Sequence, residues 1–194
     1  MIESSIHSLL QPSNPFATHR VRPGKIGYRF EDGGSVDGFF ARLCENRWRG
    51  QIVGPHGSGK STLLKTLEPH WAEVGRTPMC FSLHNGQRRL PKINWSNCTK
   101  NSQMIIDGFE QLSYLQRLLL CLRCRAARCG LLVTTHRRVW GIPVVKTTAA
   151  TRELVRALVD ELVDEPFDGD LVDSCFQQAA GNLRETFMLL YDVA

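Results

Sequence analysis

The sequence predicts an α/β fold, a parallel sheet covered by helices on both faces. Two observations indicate it: short apolar runs alternate with segments of helical period between residues 51 and 145, and the pattern is wholly helical after Thr151. Strands of a parallel sheet are buried on both faces and read as continuous apolar runs. With 194 residues, 42% apolar and 22% charged, the chain suits an ordinary globular domain with a small helical appendage.

The first half of the chain begins with residues 1–34, which are rich in Pro, Gly and Ser and show no sustained period. We expect them to form an extended lead-in. Ser35 is a candidate N-cap for a helix that ends near Trp48. Gln51–Val53 is then a short buried strand that runs into a glycine-rich turn, and Lys60–Trp71 is the next helix.

The other four strands of the predicted sheet are short apolar runs. These predicted strands are Met79–Leu83, Met104–Ile106, Leu131–Val133 and Val144–Val145. Between Met104–Ile106 and Leu131–Val133, residues Gln111–Cys129 are predicted to form a long helix, with Gly130 as its C-cap. The leucines that repeat there at three- and four-residue spacings are Leu112, Leu115, Leu118, Leu119 and Leu122.

Charge divides the chain near residue 150. Residues 76–150 hold 12 Lys/Arg against 2 Asp/Glu, whereas residues 151–194 hold 3 against 10. We therefore predict a core at residues 35–150 and a helical lid at residues 151–194. The basic segment 76–150 suits nucleic-acid binding, but its arginines equally suit bound phosphates or pairing with the acidic tail.

A phosphate-binding loop follows the first predicted strand. It matches the pattern G-x-x-x-x-G-K-[ST] with Gly54, Pro55, His56, Gly57, Ser58, Gly59, Lys60 and Ser61. Its glycines let the backbone curl with N–H groups inward, and the helix that starts at Lys60 adds its positive dipole end. We expect Lys60 to reach the β- and γ-phosphates and Ser61 to ligate Mg²⁺. Thr62 completes the predicted nucleotide-binding set.

A second magnesium partner is expected at the end of a neighbouring strand. Asp107 follows the apolar run Met104–Ile106 and supplies that carboxylate. Glu110 lies three residues on, where the next helix begins. It is either the general base that polarises an attacking water or a carboxylate favoured by the helix dipole.

The fourth predicted strand ends in polar residues. The Thr135 hydroxyl is a candidate partner for the γ-phosphate or the attacking water, although threonine is also favoured in strands for packing alone. His136 is a weaker candidate. Arg137 and Arg138 are either solvated or positioned to stabilise transferred-phosphate charge.

Together these residues resemble the P-loop ATPases of the AAA+ and STAND groups. Asp107-Gly108-Phe109-Glu110-Gln111-Leu112 is similar to the STAND form of the magnesium motif, and Gly181-Asn182-Leu183-Arg184 is similar to the sensor-2 element. The resemblance implies a five-stranded parallel sheet in the order 5-1-4-3-2, ATP with Mg²⁺, and a catalytic role for Arg184 over the nucleotide. No Asn-Lys-x-Asp guanine-reading motif is present, which agrees with adenine.

The sequence thus predicts a Mg²⁺-dependent ATP-binding protein and ATPase that couples its ATP or ADP state to a conformational change, with a protein partner. Two alternatives stay open: a nucleotide-gated binding module with little hydrolysis, and a small-molecule kinase. Seven cysteines without framework spacing and an N-terminus without an apolar core predict a cytoplasmic protein. No apolar run is long enough to cross a bilayer, and the oligomeric state is left open.

Overall fold

The structure is a computed structural model, and it describes residues 14–30, 33–84 and 86–194. These residues form two compact units. The α/β core is Gly27–Ala149, and the helical unit joins residues 14–26 to Ala150–Ala194. None of the described helices is long and apolar enough to span a membrane.

The core is a five-stranded sheet in which all strands are parallel. The strands are β1 (Arg49–Val53), β2 (Thr77–Ser82), β3 (Ser102–Asp107), β4 (Gly130–Thr135) and β5 (Val144–Thr147). Their order is β2-β3-β4-β1-β5, which reads 5-1-4-3-2 from the β5 edge, as predicted. Every predicted strand is present, and most extend by one or two residues.

Among the described residues, four α-helices precede β4, counting one of a single turn. They are α1 (Thr18–Val21), α2 (Val36–Glu45), α3 (Lys60–Leu67) and α4 (Tyr114–Ala126). The Ser35 side chain accepts a hydrogen bond from the Gly38 N–H and so caps α2, as predicted. Lys60–Trp71 is α-helical only to Leu67, then continues as a 3₁₀ turn, Glu68–Trp71.

The two faces of the sheet bury different residues because side chains alternate along each strand. One face carries Met104, Ile106, Leu131 and Val133, which pack with residues of α4. The other face carries Ile52, Ile105, Leu132 and Val145, which pack with aromatic and leucine side chains of α2 and α3. The glycine-rich loop that is predicted to bind phosphate joins β1 to α3, the helix that packs on this second face.

Three details of the predicted helix Gln111–Cys129 are wrong. The α-helix begins at Tyr114 and ends at Ala126, and Gly130 is the first residue of β4 rather than a C-cap. A Cβ on Gly130 would lie 2.0 Å from Gln103 Oε1, so the glycine is needed for close packing and not for a turn. The repeating leucines, apart from Leu112, are exposed, while Leu120 and Cys124 face the core.

The helical unit contains α5 (Arg152–Leu162), α6 (Gly169–Gln178) and α7 (Leu183–Val193). Thr151, Asp168 and Asn182 cap their N-termini through side-chain oxygens. Phe16 is buried among these helices, with its ring 5.4 Å from that of Phe167. The predicted lead-in is therefore corrected: residues 14–26 include α1 and belong to this unit, and residues 1–13, 31 and 32 lie outside the described residues.

Candidate phosphate-binding site

The loop between β1 and α3 is closed by contacts with the ends of β4 and β5. Gly54 N–H donates to the Thr135 carbonyl at 3.1 Å, and the Ser58 hydroxyl lies 2.7 Å from Thr148 Oγ1. A Cβ on Gly54 would lie 2.2 Å from Thr148 Oγ1 and 2.4 Å from the Thr148 carbonyl oxygen. Only glycine fits at this point, and the loop starts in one fixed place.

Two further glycines give the loop its curvature. Gly57 and Gly59 have φ values of 68° and 86°, in the left-handed region where glycine has no steric penalty. Gly59 immediately precedes α3, so the first N–H groups of that helix lie at the end of the loop. Backbone N–H groups of this kind, together with the helix dipole, favour a bound anion.

Lys60 is the charged group inside the loop. Its side chain folds back, and Nζ donates to the carbonyls of Gly54 and Pro55. The residue is only 8% exposed. Burial lowers the pKa of Lys60, whereas the nearby charges of Glu110 and Asp107 act to raise it. The hydrogen-bond partners of this buried ammonium are uncharged carbonyl oxygens. Its positive charge is therefore available to neutralise a bound anion.

Asp107, at the end of β3, joins the loop helix to the neighbouring strand. Its Oδ2 accepts from the Ser61 hydroxyl at 2.7 Å, and its Oδ1 accepts from the Thr134 hydroxyl at 2.6 Å. Thr134 Oγ1 in turn accepts from the Gly108 N–H at 2.9 Å. The carboxylate is thereby fixed beside Ser61, and the two groups provide the hard oxygen ligands that Mg²⁺ prefers.

Glu110 lies in a short 3₁₀ turn, Phe109–Gln111, just beyond β3. Its Oε1 lies 2.8 Å from His136 Nε2, and its Oε2 is buried with no hydrogen-bond partner among the described residues. The His136 ring also lies 3.6 Å from the His56 ring, centre to centre, and 3.3 Å from the Gly54 carbonyl oxygen through Nδ1. A neutral imidazole has one N–H, so it donates either to Glu110 Oε1 or to the Gly54 carbonyl oxygen, but not to both at once.

The structure brings most of the predicted site residues together. Ser61 donates to Asp107, and the charges of Glu110 and Asp107 are both close enough to Lys60 to raise its pKa. Thr62 lies on α3 and is half-buried. Arg184 lies at the start of α7, where its N–H donates to Asn182 Oδ1; it belongs to the helical unit, and its approach to the nucleotide stays a prediction.

Four contacts were missed by reasoning from sequence. Thr135, predicted to reach the γ-phosphate or the attacking water, is buried and donates to Gln51 Oε1 at 3.4 Å. The neighbouring Thr134 is the hydroxyl that donates to Asp107. His136, ranked as weak, lies against Glu110 and His56. Strand alternation is the signal that favours Thr134: the register pairs Ile106 with Val133, so Asp107 and Thr134 follow on the same face of the sheet.

Two of the three cysteines in the predicted long helix are core residues. Cys124 and Cys129 are buried, and Cys121 is half-buried. No group of three or more His, Cys, Asp or Glu side chains that could hold a metal ion occurs within residues 14–30, 33–84 and 86–194. The magnesium site predicted here rests instead on one hydroxyl and one carboxylate.

Comparison with known proteins adds no family assignment. No protein-family model matches the chain, and no curated protein sequence is significantly similar to it. The site must therefore be interpreted from its own geometry.

Proposed function

We propose that the chain is a Mg²⁺-dependent ATP-binding protein with ATPase activity, of the P-loop class and similar to the AAA+ and STAND groups. The observation that carries this proposal is the buried Lys60 ammonium, held by carbonyls inside a glycine loop and adjacent to the Ser61–Asp107 pair. The parallel sheet with strand order 5-1-4-3-2 supports it, because that order is what the sequence resemblance implies.

Each residue then has a role set by its position. The loop N–H groups and Lys60 bind the phosphates, and Ser61 and Asp107 hold the metal ion. When bound, Mg²⁺ neutralises charge on the phosphate oxygens. The donor set fits this ion because both side chains offer oxygen and already lie 2.7 Å apart.

Glu110 is the proposed base. Its Oε2 has no hydrogen-bond partner among the described residues and is thus available to accept a proton from an attacking water. His136 holds the other oxygen, Oε1, at 2.8 Å. In this role His136 orients the carboxylate without contacting the nucleotide.

A nucleotide-gated binding module with little hydrolysis is the second candidate. The Glu110–His136 contact favours it, since one oxygen of the carboxylate is already engaged by the imidazole and is not free to bind an attacking water. The small-molecule kinase alternative has less support, because residues 151–194 hold only 3 Lys/Arg, whereas a kinase lid usually places arginines over the phosphates.

Replacement of Lys60 by alanine tests the proposal. A charge-assisted contact is worth roughly 1.5–3 kcal/mol, so Lys60→Ala is expected to weaken ATP binding about tenfold or more. Lys65→Ala is the matched control, because Lys65 is an exposed lysine on the same helix that pairs with Glu68 at 2.9 Å. Affinity is measured by calorimetry, and folding by circular dichroism.

The two outcomes separate cleanly. Loss of affinity in Lys60→Ala but not in Lys65→Ala supports a phosphate site in the loop. Undiminished ATP affinity in a folded Lys60→Ala protein refutes it. ADP formation and phosphate release by the unmodified protein, alone and with candidate small-molecule acceptors, then distinguish the three candidates. An ATPase forms both, a kinase forms ADP without free phosphate only when its acceptor is present, and a non-hydrolysing module forms neither.

A further inference from the structure

Helix α4 carries an apolar stripe on the side away from the sheet, here called the leucine face. Leu120 and Cys124 are the buried residues of this helix, and they pack in the core. The leucine face consists of Tyr114, Leu115, Leu118, Leu119 and Leu122, all of them exposed. Scattered surface leucines are normal, but a contiguous apolar patch on a folded protein marks an interaction site.

The spacing within the leucine face is that of a seam between paired helices. Leu115, Leu118 and Leu122 follow one another at steps of three and then four residues, and Arg125 comes three residues later. Leucines that alternate at steps of three and four let one helix lie along another with their side chains interlocking. The leucine face is therefore suited to a second helix, and it ends in a positive charge.

The two ends of the seam carry Tyr114 and Arg125, which are chemically complementary. They are eleven residues apart, which is about three turns at 3.6 residues per turn, so they lie on the same side of α4 about 16 Å apart along its axis. Tyr114 is 82% exposed, and Arg125 is exposed as well. A guanidinium is attracted to the face of a tyrosine ring within about 6 Å, so these two groups cannot meet within one copy.

The orientation of two paired copies decides which of these groups meet. In a parallel pair, Arg125 of one copy faces Arg125 of the other, and like charges across an interface are unfavourable. In an antiparallel pair, Arg125 of each copy faces Tyr114 of the other, and the two arginines stay about 16 Å apart, roughly twice the Debye length at physiological salt. Arg123, the other basic residue of the last turn, is rotated about 100° from Leu122 and stacks over the Trp95 ring of its own chain at 5.7 Å.

We propose that the leucine face pairs antiparallel with the same face of a second copy and forms a two-fold dimer. The face supplies both halves of every contact, leucine against leucine and Arg125 against Tyr114, which is the self-complementarity that a two-fold interface requires. A nucleic acid bound to the arginines would leave the leucines uncovered, whereas a second copy covers both. Each copy has one leucine face, so this association ends at the dimer.

Leu118→Glu tests the apolar centre of the pairing and keeps a good helix former. Leu118 lies near the middle of the seam, so two-fold symmetry brings the new carboxylates of both copies close together. Dimer affinity should fall at least about tenfold, because the centre of an interface contributes most and like charges there repel. Met188→Glu is the matched control, since Met188 is an exposed apolar residue of α7 and lies outside the leucine face.

Reversal of charge tests the orientation. Tyr114→Arg places two positive charges opposite each other in an antiparallel pair and should weaken the dimer about tenfold. Addition of Arg125→Glu in the same chain places opposite charges at those positions and should restore the affinity. In a parallel pair the double variant would still set like charges against each other, so the affinity would not be restored.

Sedimentation velocity without nucleotide measures the dimer, so the result does not depend on the proposed ATPase, and unchanged melting temperatures verify folding. A monomer throughout the accessible concentration range would refute the proposal, as would equal weakening by Met188→Glu. Failure of Arg125→Glu to restore the Tyr114→Arg dimer would refute the antiparallel arrangement. A monomer that floats with phosphatidylserine vesicles would show instead that the leucine face binds a lipid surface.

Discussion

Replacement of Glu110 by glutamine tests the catalytic assignment most directly. The substitution keeps the size of the side chain and its ability to bond His136 Nε2, which lies 2.8 Å from Oε1. It replaces the carboxylate with a group that is not a base. General base catalysis typically contributes 10²–10⁴-fold, so the barrier should rise by about 3–5 kcal/mol.

The same substitution has a second effect through Lys60. Burial lowers the pKa of Lys60, and the Glu110 charge is the larger of the two that oppose this. Loss of that charge lowers the pKa of Lys60 further. The phosphate-binding ammonium form is lost as pH rises through this pKa, so the alkaline decline of ATP affinity should move to lower pH in Glu110→Gln.

Single-turnover hydrolysis and ATP affinity as a function of pH measure the two effects independently. At neutral pH the affinity should change only a few-fold, because the loop, Lys60 and the Ser61–Asp107 pair still bind the phosphates. Hydrolysis at the unmodified rate would show that Glu110 is a structural carboxylate in contact with His136 and not a base. An alkaline limb that does not move would show that its charge does not act on Lys60.

Three further substitutions probe the loop, the strand end and the lid. Gly54→Ala places a Cβ 2.2 Å from Thr148 Oγ1 and should abolish ATP binding and lower the melting temperature; Gly27→Ala, where nothing lies within 4 Å of the added Cβ, should change neither. Gln51→Leu removes the buried amide that bonds the Val139 N–H and carbonyl, the Ile142 carbonyl and the Thr135 hydroxyl. At roughly 1 kcal/mol for each of these four stranded groups, urea unfolding should show a loss of about 3–4 kcal/mol, and a loss below about 1 kcal/mol would contradict this. Arg184→Ala should reduce the preference for ATP over ADP in competition binding, and an unchanged preference would make the sensor-2 resemblance accidental.

The order and type of the main elements could be predicted because they depend on local patterns. Apolar runs of two to five residues predicted all five strands, and the Ser35 cap predicted the start of α2. Hydrophobic periodicity and capping act within a few residues. The phosphate loop is local in the same sense, since its glycines and Lys60 occur within eight consecutive residues.

Orientation about a helix or strand axis could not be predicted in the same way. The leucines of α4 have the spacing that ordinarily marks a buried face, yet the helix turns Leu120 and Cys124 inward. The choice depends on which side of α4 meets the sheet. Spacing alone gives a face of the helix but not the direction in which that face points.

The rest of the site depends on pairing between strands that are far apart in the sequence. The amino-acid sequence by itself determined the α/β class, the glycine-rich loop before Lys60 and the carboxylate at Asp107, because each depends on consecutive residues. Only the tertiary structure decided that Thr134 rather than Thr135 contacts Asp107, and that His136 lies against Glu110. Those contacts depend on the register of β3 against β4, and register is set by packing across the whole sheet.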